Sequence, residues 1–179
     1  MTATVQIENY TTGTWTIDPV HSEITFALRH MGVGRSRGRF DGFSGQITTA
    51  ADPLQSEVTA EIDASSLNTG QADRDAHVRG SDFLDVDNHP TASFRSTGIR
   101  QDGEEFLIDG EFTLRGTTQP VTLRAEFGGI TDDGQGGKLL GLSAETTINR
   151  TDFGVGPKGG AMLGEQVRIN LDVEAALQQ

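Results

Sequence analysis

The chain has no cysteine, which excludes disulfides, thiol nucleophiles and thiolate metal sites together. Tryptophan and tyrosine occur once each, too few for the aromatic girdles of an outer-membrane barrel. No run approaches the roughly 18 to 20 apolar residues of a membrane helix, so no transmembrane segment is expected. Cations are scarce, 14 against 26 carboxylates, for a net charge of −12. An acidic surface repels phosphate backbones, which argues against nucleic acid as a partner. Residues 1–10 have neither a basic region nor an apolar run, so no secretory signal is read and a cytoplasmic location is expected. Proline is rare, and all five (Pro19, Pro53, Pro90, Pro120, Pro157) are read as breaks between apolar runs.

Between those breaks the chain alternates apolar and polar residues with period two, the pattern of half-buried strands. Ile24, Phe26 and Leu28 oppose Glu23, Thr25 and Arg29. The same alternation carries Val58, Ala60 and Ile62; Ala92, Phe94 and Ser96; Phe106, Ile108, Gly110, Phe112 and Leu114; and Val121, Leu123, Ala125 and Phe127. It continues through Leu140, Leu142, Ala144, Thr146 and Ile148, then Val167, Ile169, Leu171 and Val173. Within 37–49 the parity changes, Phe40 against Phe43 and Ile47, which predicts a glycine-assisted bulge or corner near Gly42. Residues 65–89 break the pattern and are read as a connection with a short helix over 71–79, capped by Thr69 and favoured by Asp75→Arg79 at i,i+4. Residues 128–137 are read as a flexible hairpin tip. The organisation expected is an N-terminal arm over 1–12 and one domain over 13–179.

About eight antiparallel strands, each apolar on one face, hide those faces either as a two-sheet sandwich or as one sheet closed into a barrel. The polar residues fall outside. Ala60, Ala92, Ser96, Gly110, Ala125, Ala144 and Thr146 are small residues of inward parity. They leave either a lumen or, facing large partners such as Phe94 or Phe112, a solid core.

Several blocks resemble the YceI-like family. They are Trp15-Thr-Ile-Asp-Pro-Val-His21-Ser22 with Phe26 and His30, and Gly38-Arg-Phe40-Asp-Gly-Phe43-Ser-Gly45. Next come Ile62-Asp63, Ser66-Leu67-Asn68-Thr69 and Arg74-Asp75-Ala-His77-Val-Arg79-Gly-Ser-Asp82-Phe83-Leu-Asp85. Gly110-Glu-Phe-Thr-Leu114-Arg-Gly116-Thr-Thr-Gln-Pro120-Val121 and Ile148-Asn149-Arg150-Thr-Asp152-Phe153-Gly154 complete the order. The resemblance runs from about Trp15 to the C-terminus. It implies an all-β fold: an extended antiparallel lipocalin-like β-barrel of about eight strands with a short helical connection. It further implies a tunnel for a polyisoprenoid or other lipid-like ligand, and a homodimer. The chain departs from the family pattern at His89-Pro90, Val78 and Gly80, and, unlike many members, is expected to carry no leader.

His30 shares parity with Phe26 and Leu28; it is read either as a lumen residue that orients a polar head or as a satisfied core histidine. His77 falls in the helical connection and either seals a mouth or packs the helix. His21 is read as a structural hydrogen-bonder and His89 as a loop residue. No histidine pair has metal-ligand spacing, so no metal and no cofactor are expected. Arg29, Arg35, Arg37 and Arg39 crowd eleven residues of an acidic chain, and are read as an anionic head-group site or as a solvated hairpin tip. Arg74 and Arg79 are read as helix ion pairs. There is no G-x-S-x-G elbow, and the glycine-rich stretch 154–160 lacks a phosphate loop's Lys-Ser/Thr ending.

The expected function is non-enzymatic binding and carriage or storage of a long apolar amphiphile. The tunnel is expected to be lined by Phe26, Leu28, His30, Phe94, Ile108, Phe112, Leu123, Leu142 and Ile169, with Arg35, Arg37, Arg39 and His77 as head-group candidates. Two alternatives stand beside it: an enzyme acting on a lipid-like substrate in the same cavity, and a solid-cored dimeric interaction module.

Overall fold

A computed structural model describes residues 6–179. Eleven strand segments fill eight positions of one closed antiparallel barrel. β1 (Gly13–Ile17) and β2 (Glu23–His30) are two halves of one position, interrupted at Pro19. β3 (Gly34–Phe40) and β4 (Phe43–Thr49) are the halves of the next. They are followed by β5 (Glu57–Asp63), the two-residue β6 (Leu67–Asn68), β7 (Thr91–Asp102), β8 (Glu105–Leu114), β9 (Thr117–Asp132), β10 (Lys138–Asn149) and β11 (Gln166–Leu177). Each position pairs with its neighbours in sequence, and β11 closes the ring by pairing with β2 through Ile169↔Phe26 and with β1 through Leu177↔Trp15.

The corner expected near Gly42 is present. β2 pairs with β3 up to Ile24↔Phe40, and β4 restarts against β5 at Phe43↔Ile62. The turn is pinned by Ser66 Oγ, which accepts from Gly42 N–H at 2.9 Å. A Cβ on Gly42 would lie 3.3 Å from the Cβ atoms of Asp63 and Ser66, so the corner is built around a missing side chain.

Four local readings need correction. The 128–137 segment is not all hairpin tip: β9 continues to Asp132, and Gly128 is a bulge opposite Gly141. Pro120 lies inside β9 rather than between strands. It is tolerated there because β10 pairs with β9 only as far as Arg124, leaving Pro120 beside a single strand. α1 (Ala72–Arg79) forms where expected, but Gln71 caps it, its Oε1 accepting from Arg74 N–H at 2.6 Å. Thr69 instead donates to the buried Asp75 through both N–H, at 2.9 Å, and hydroxyl. Arg79 makes no helix ion pair; it donates to the Ser65 and Leu67 carbonyls, both at 2.8 Å, and ties α1 to β6.

Two apolar clusters occupy the interior. The smaller closes one end: Trp15, Ile17, Ile47, Ile130, Leu140 and Ala175 are all buried, and Trp15 Nε1 donates to Thr49 Oγ1 at 2.9 Å. The larger, including Ile24, Phe94, Ile108, Phe112, Leu123, Ile148 and Phe153, runs toward the other end, where α1, the 80–90 segment and the 154–164 loop lie.

Candidate functional site

The larger cluster does not fill its space. Inside it lies a cavity of about 240 Å³ with an almost wholly apolar lining. That exceeds the roughly 150 Å³ void that takes up benzene in an engineered protein and falls below the roughly 300–1,000 Å³ of pockets for drug-sized molecules. Along β11 the lining extends from Val167 to Val173, roughly 20 Å at ~3.3 Å per residue. A lining that extends this far along one strand gives room for an aliphatic tail.

Strand alternation decides what faces it. Phe26, Leu28, Phe94, Ile108, Phe112, Leu123, Leu142 and Ile169 all line the cavity, together with the small residues Ala60, Ala92, Ala144 and Thr146. The void is narrowed at two places where a phenyl ring covers a glycine. A Cβ on Gly110 would meet the Phe94 ring at 2.4 Å, and one on Gly38 would meet the Phe26 ring at 2.4 Å. Small residues facing large ones and an unfilled lumen therefore coexist.

His30 departs from its expected place. It is exposed, lies at the last residue of β2 where the hairpin leaves the barrel, and bridges to Leu163 rather than lining the cavity. Arg35, Arg37 and Arg39 also lie away from the lumen: on β3 the lining residues are Ser36 and Phe40, so the intervening arginines point outward into solvent. As head-group candidates they stand outside the cavity lining. His77 is exposed on α1, its ring edge-on to Phe83 at 5.1 Å and its Nε2 3.5 Å from Asp82. Phe83 and Val78, not His77, reach the cavity. Among the described residues no histidine lines it, and its charged residues are Glu23, Arg74 and Arg150.

Arg150 escaped the sequence reading. It is only 3% exposed, and all five guanidinium N–H groups are used on carbonyls of one loop. Nε donates to Gly164 at 2.9 Å; Nη1 to Val155 at 2.9 Å and Pro157 at 2.8 Å; Nη2 to Leu163 at 2.9 Å and Gly159 at 3.4 Å. A planar fork of five donors suits that task, and a lysine could not replace it. The loop so held contributes Val155 and Leu163 to the lining. Arg115 adds a second staple, donating to Ser81 at 2.7 Å and to Gly154. The signal in the sequence was an arginine just before a glycine-rich loop with many carbonyls to satisfy. Its partners span residues 155–164, so spacing alone did not point to it.

At the rim, Arg74 donates to Thr69 through Nε at 2.8 Å to the hydroxyl and Nη2 at 2.9 Å to the carbonyl. This corrects its reading as a helix ion pair. Bonding to Thr69 holds the Asp75 carboxyl below the ordinary carboxylate range, with Arg79 and Arg74 reinforcing the shift. Asp18, His21 and Glu174 offer three donor atoms within 4.8 Å of one another at the β1–β2 break. His21 Nδ1 lies 2.7 Å from Asp18 and 3.3 Å from Glu174. The hydrogen bond to Asp18 raises the imidazole and lowers the carboxyl, which favours an imidazolium ion pair and competes with a metal.

Residues 15–175 match the YceI-like domain. The chain belongs to the YceI-like family. Protein YceI of Shigella flexneri is 36% identical over 160 residues, covering 89% of this chain and 83% of the relative. A Pseudomonas aeruginosa UPF0312 protein is 36% identical over 159 residues, covering 88% and 83%. Among solved structures, BcnA of Burkholderia cenocepacia superposes with a TM-score of 0.79 at 23% identity, covering 88% of this chain and 98% of that one. A polyisoprenoid-binding domain from Saccharophagus degradans superposes with a TM-score of 0.66 at 16% identity, covering 94% and 100%. The lipocalin-like barrel expected for a YceI-like chain is the fold observed. Among the described residues no helix is long and apolar enough to cross a membrane.

Proposed function

We propose that this YceI-like protein binds and carries or stores a single long apolar amphiphile, a polyisoprenoid or similar lipid, in its lumen, without catalysis. The observation that carries the reading is the cavity of about 240 Å³, apolar along its length and bounded by Arg74 and Thr69 at one rim. The driving force is transfer of the tail from water. Ten buried methylenes at ~0.8 kcal/mol each contribute about 8 kcal/mol gross, near-micromolar affinity before ordering costs. The likeness to a domain described as polyisoprenoid-binding supports the ligand class. Phe26, Leu28, Phe94, Ile108, Phe112, Leu123, Leu142 and Ile169 are the proposed ligand contacts. The homodimer belongs to this reading on family resemblance, and sedimentation of the purified protein tests it.

Native mass spectrometry after detergent-free purification tests the ligand. The expected result is a mass increment of one bound lipid, or uptake of one equivalent of added prenol. A protein that is empty and ignores prenols and fatty acids alike sinks the proposal. Hydrolysis or modification of the added lipid selects the enzymatic alternative.

A further inference from the structure

Two segments meet beside the lumen rim: the β2–β3 hairpin and the 154–164 loop. Met31 N–H donates to Met162 O and Gly164 N–H to Arg29 O, both at 2.8 Å. Residues 24–40 and 153–164 contain no carboxylate, in a chain that carries 26, yet they hold Arg29, Arg35, Arg37, Arg39 and Lys158. Among the described residues, only Arg39 of these five has an ion-pair partner, Asp41 at 2.7 Å. The wall is different: Arg95, Arg100, Arg124 and Arg168 each pair with a carboxylate. The uncompensated positive charge is therefore gathered at one end.

The same end exposes apolar side chains. Met31 is 54% exposed, Val33 88% and Met162 71%, three of the four large hydrophobics so exposed among the described residues. Leu28, Ser36 and Leu163, one to three residues further in, line the lumen. An apolar tip ringed by unpaired cations matches an anionic bilayer, where the cations meet head groups and the tip enters the acyl boundary. Nucleic acid or an acidic protein would satisfy the cations but leave the tip in water. The chain as a whole is acidic, and carboxylates of α1, of the 80–90 segment and of Glu165, which accepts from Gly159 N–H at 2.7 Å, flank this end, so the approach is confined to the hairpin and loop tips.

We propose that the β2–β3 hairpin and the 154–164 loop dock this end of the barrel on an anionic lipid surface, bringing the lumen rim to the bilayer. Its part in lipid loading rests on the carriage reading above; the docking itself does not.

Flotation of the full chain with phosphatidylcholine vesicles, with and without phosphatidylglycerol, tests the proposal. Binding is expected only with phosphatidylglycerol and is expected to fall steeply at ~0.5 M salt, where screening shortens to a few ångströms. Arg35→Gln with Arg37→Gln should weaken binding about 25-fold, at roughly fivefold per cation. Arg35→Lys with Arg37→Lys should restore it. Val33→Ser with Met162→Ser should weaken it as well. Arg95→Gln with Arg168→Gln, an equal charge change on the wall, should leave it unaltered. Equal binding to both vesicle types, equal loss in the wall variant, or retention on a DNA duplex but on no vesicle overturns the proposal. Vesicle binding by a protein that takes up no prenol keeps the docking and removes the carriage reading; uptake without vesicle binding removes the docking alone.

Discussion

At the Trp15 end the barrel is closed by continuous strand pairing and apolar packing, whereas the opposite end is held by side chains that bond backbone carbonyls. Trp15 is wholly buried among Ile17, Ile47, Ile130 and Leu140, with its indole N–H satisfied by Thr49. Across the lumen, Arg150 and Arg115 fasten the 154–164 loop and the 80–90 segment, Arg79 ties α1 to β6, and the buried Asp75 holds Thr69. A sheet satisfies its own backbone, so an end made of strands needs only apolar filling. An end made of loops exposes orphan carbonyls and needs donors to match them. The second kind of closure is local and leaves a rim, which is where a ligand's entry belongs.

The largest effect separating the ends is expected at Trp15. Trp15→Ala leaves a large void and removes the donor to Thr49 Oγ1, whose own bond to Thr11 O at 2.7 Å stays, and should destabilise the whole fold by about 3–5 kcal/mol. Urea unfolding followed by circular dichroism measures this, and a loss below ~1 kcal/mol would show that the end is not a packed seal. Next, Arg150→Met should cost about 3 kcal/mol, since five carbonyls lose a charged donor at once. Amide exchange should rise first in 154–164 while β8 and β9 stay protected, and uniform exchange across the barrel would refute a local role. Ala144→Phe sits between the ends and projects a ring into the cavity. Overpacking costs of ~1–3 kcal/mol are expected to be largely offset by the empty space, while prenol uptake falls at least about tenfold. Unaltered uptake would place the ligand elsewhere.

Acid sharpens the comparison most gently. Asp75 is held below its ordinary value, so its contribution is complete above the unfolded carboxylate pKa near ~4 and is lost as the pH falls through its folded value. On the outer wall, Asp109 is lowered to about 2 by Arg100 and the Thr122 hydroxyl, so that pair survives further into acid. Below about pH 4, exchange in α1 should rise before the fluorescence of the single tryptophan changes, the solvent-screened wall pairs contributing little. Simultaneous loss of both signals would mean the ends unfold as one unit.

What could be read in the residues follows from periodicity. Ile24, Phe26 and Leu28, or Leu142 and Ala144, face inward because the pleat allows two faces and water accepts only one. The corner at Gly42 was legible because a shift of parity has one cheap remedy. The same rule misled at His30, where the strand runs past the barrel's edge and inward parity no longer means an interior. It also left the side of the arginine hairpin open, and the placement of Ser36 and Phe40 on the lining puts the arginines on the outer face. Thr69 and Arg74 were misread as local helix partners because their bonds close a loop rather than a helical turn.

By itself, then, the alternation determined that this chain is all-β with a wet exterior and an apolar interior, because alternation is a local property that solvent alone sorts; the barrel was implied by the family resemblance, and the pairing of β11 with β1 and β2 closes it. Only the tertiary structure decided that the interior stays partly empty, that Arg150 builds one rim, and that unpaired cations and bare methionines share that end. Those outcomes depend on distances between residues far apart in the chain, and no local pattern encodes how closely opposite walls approach.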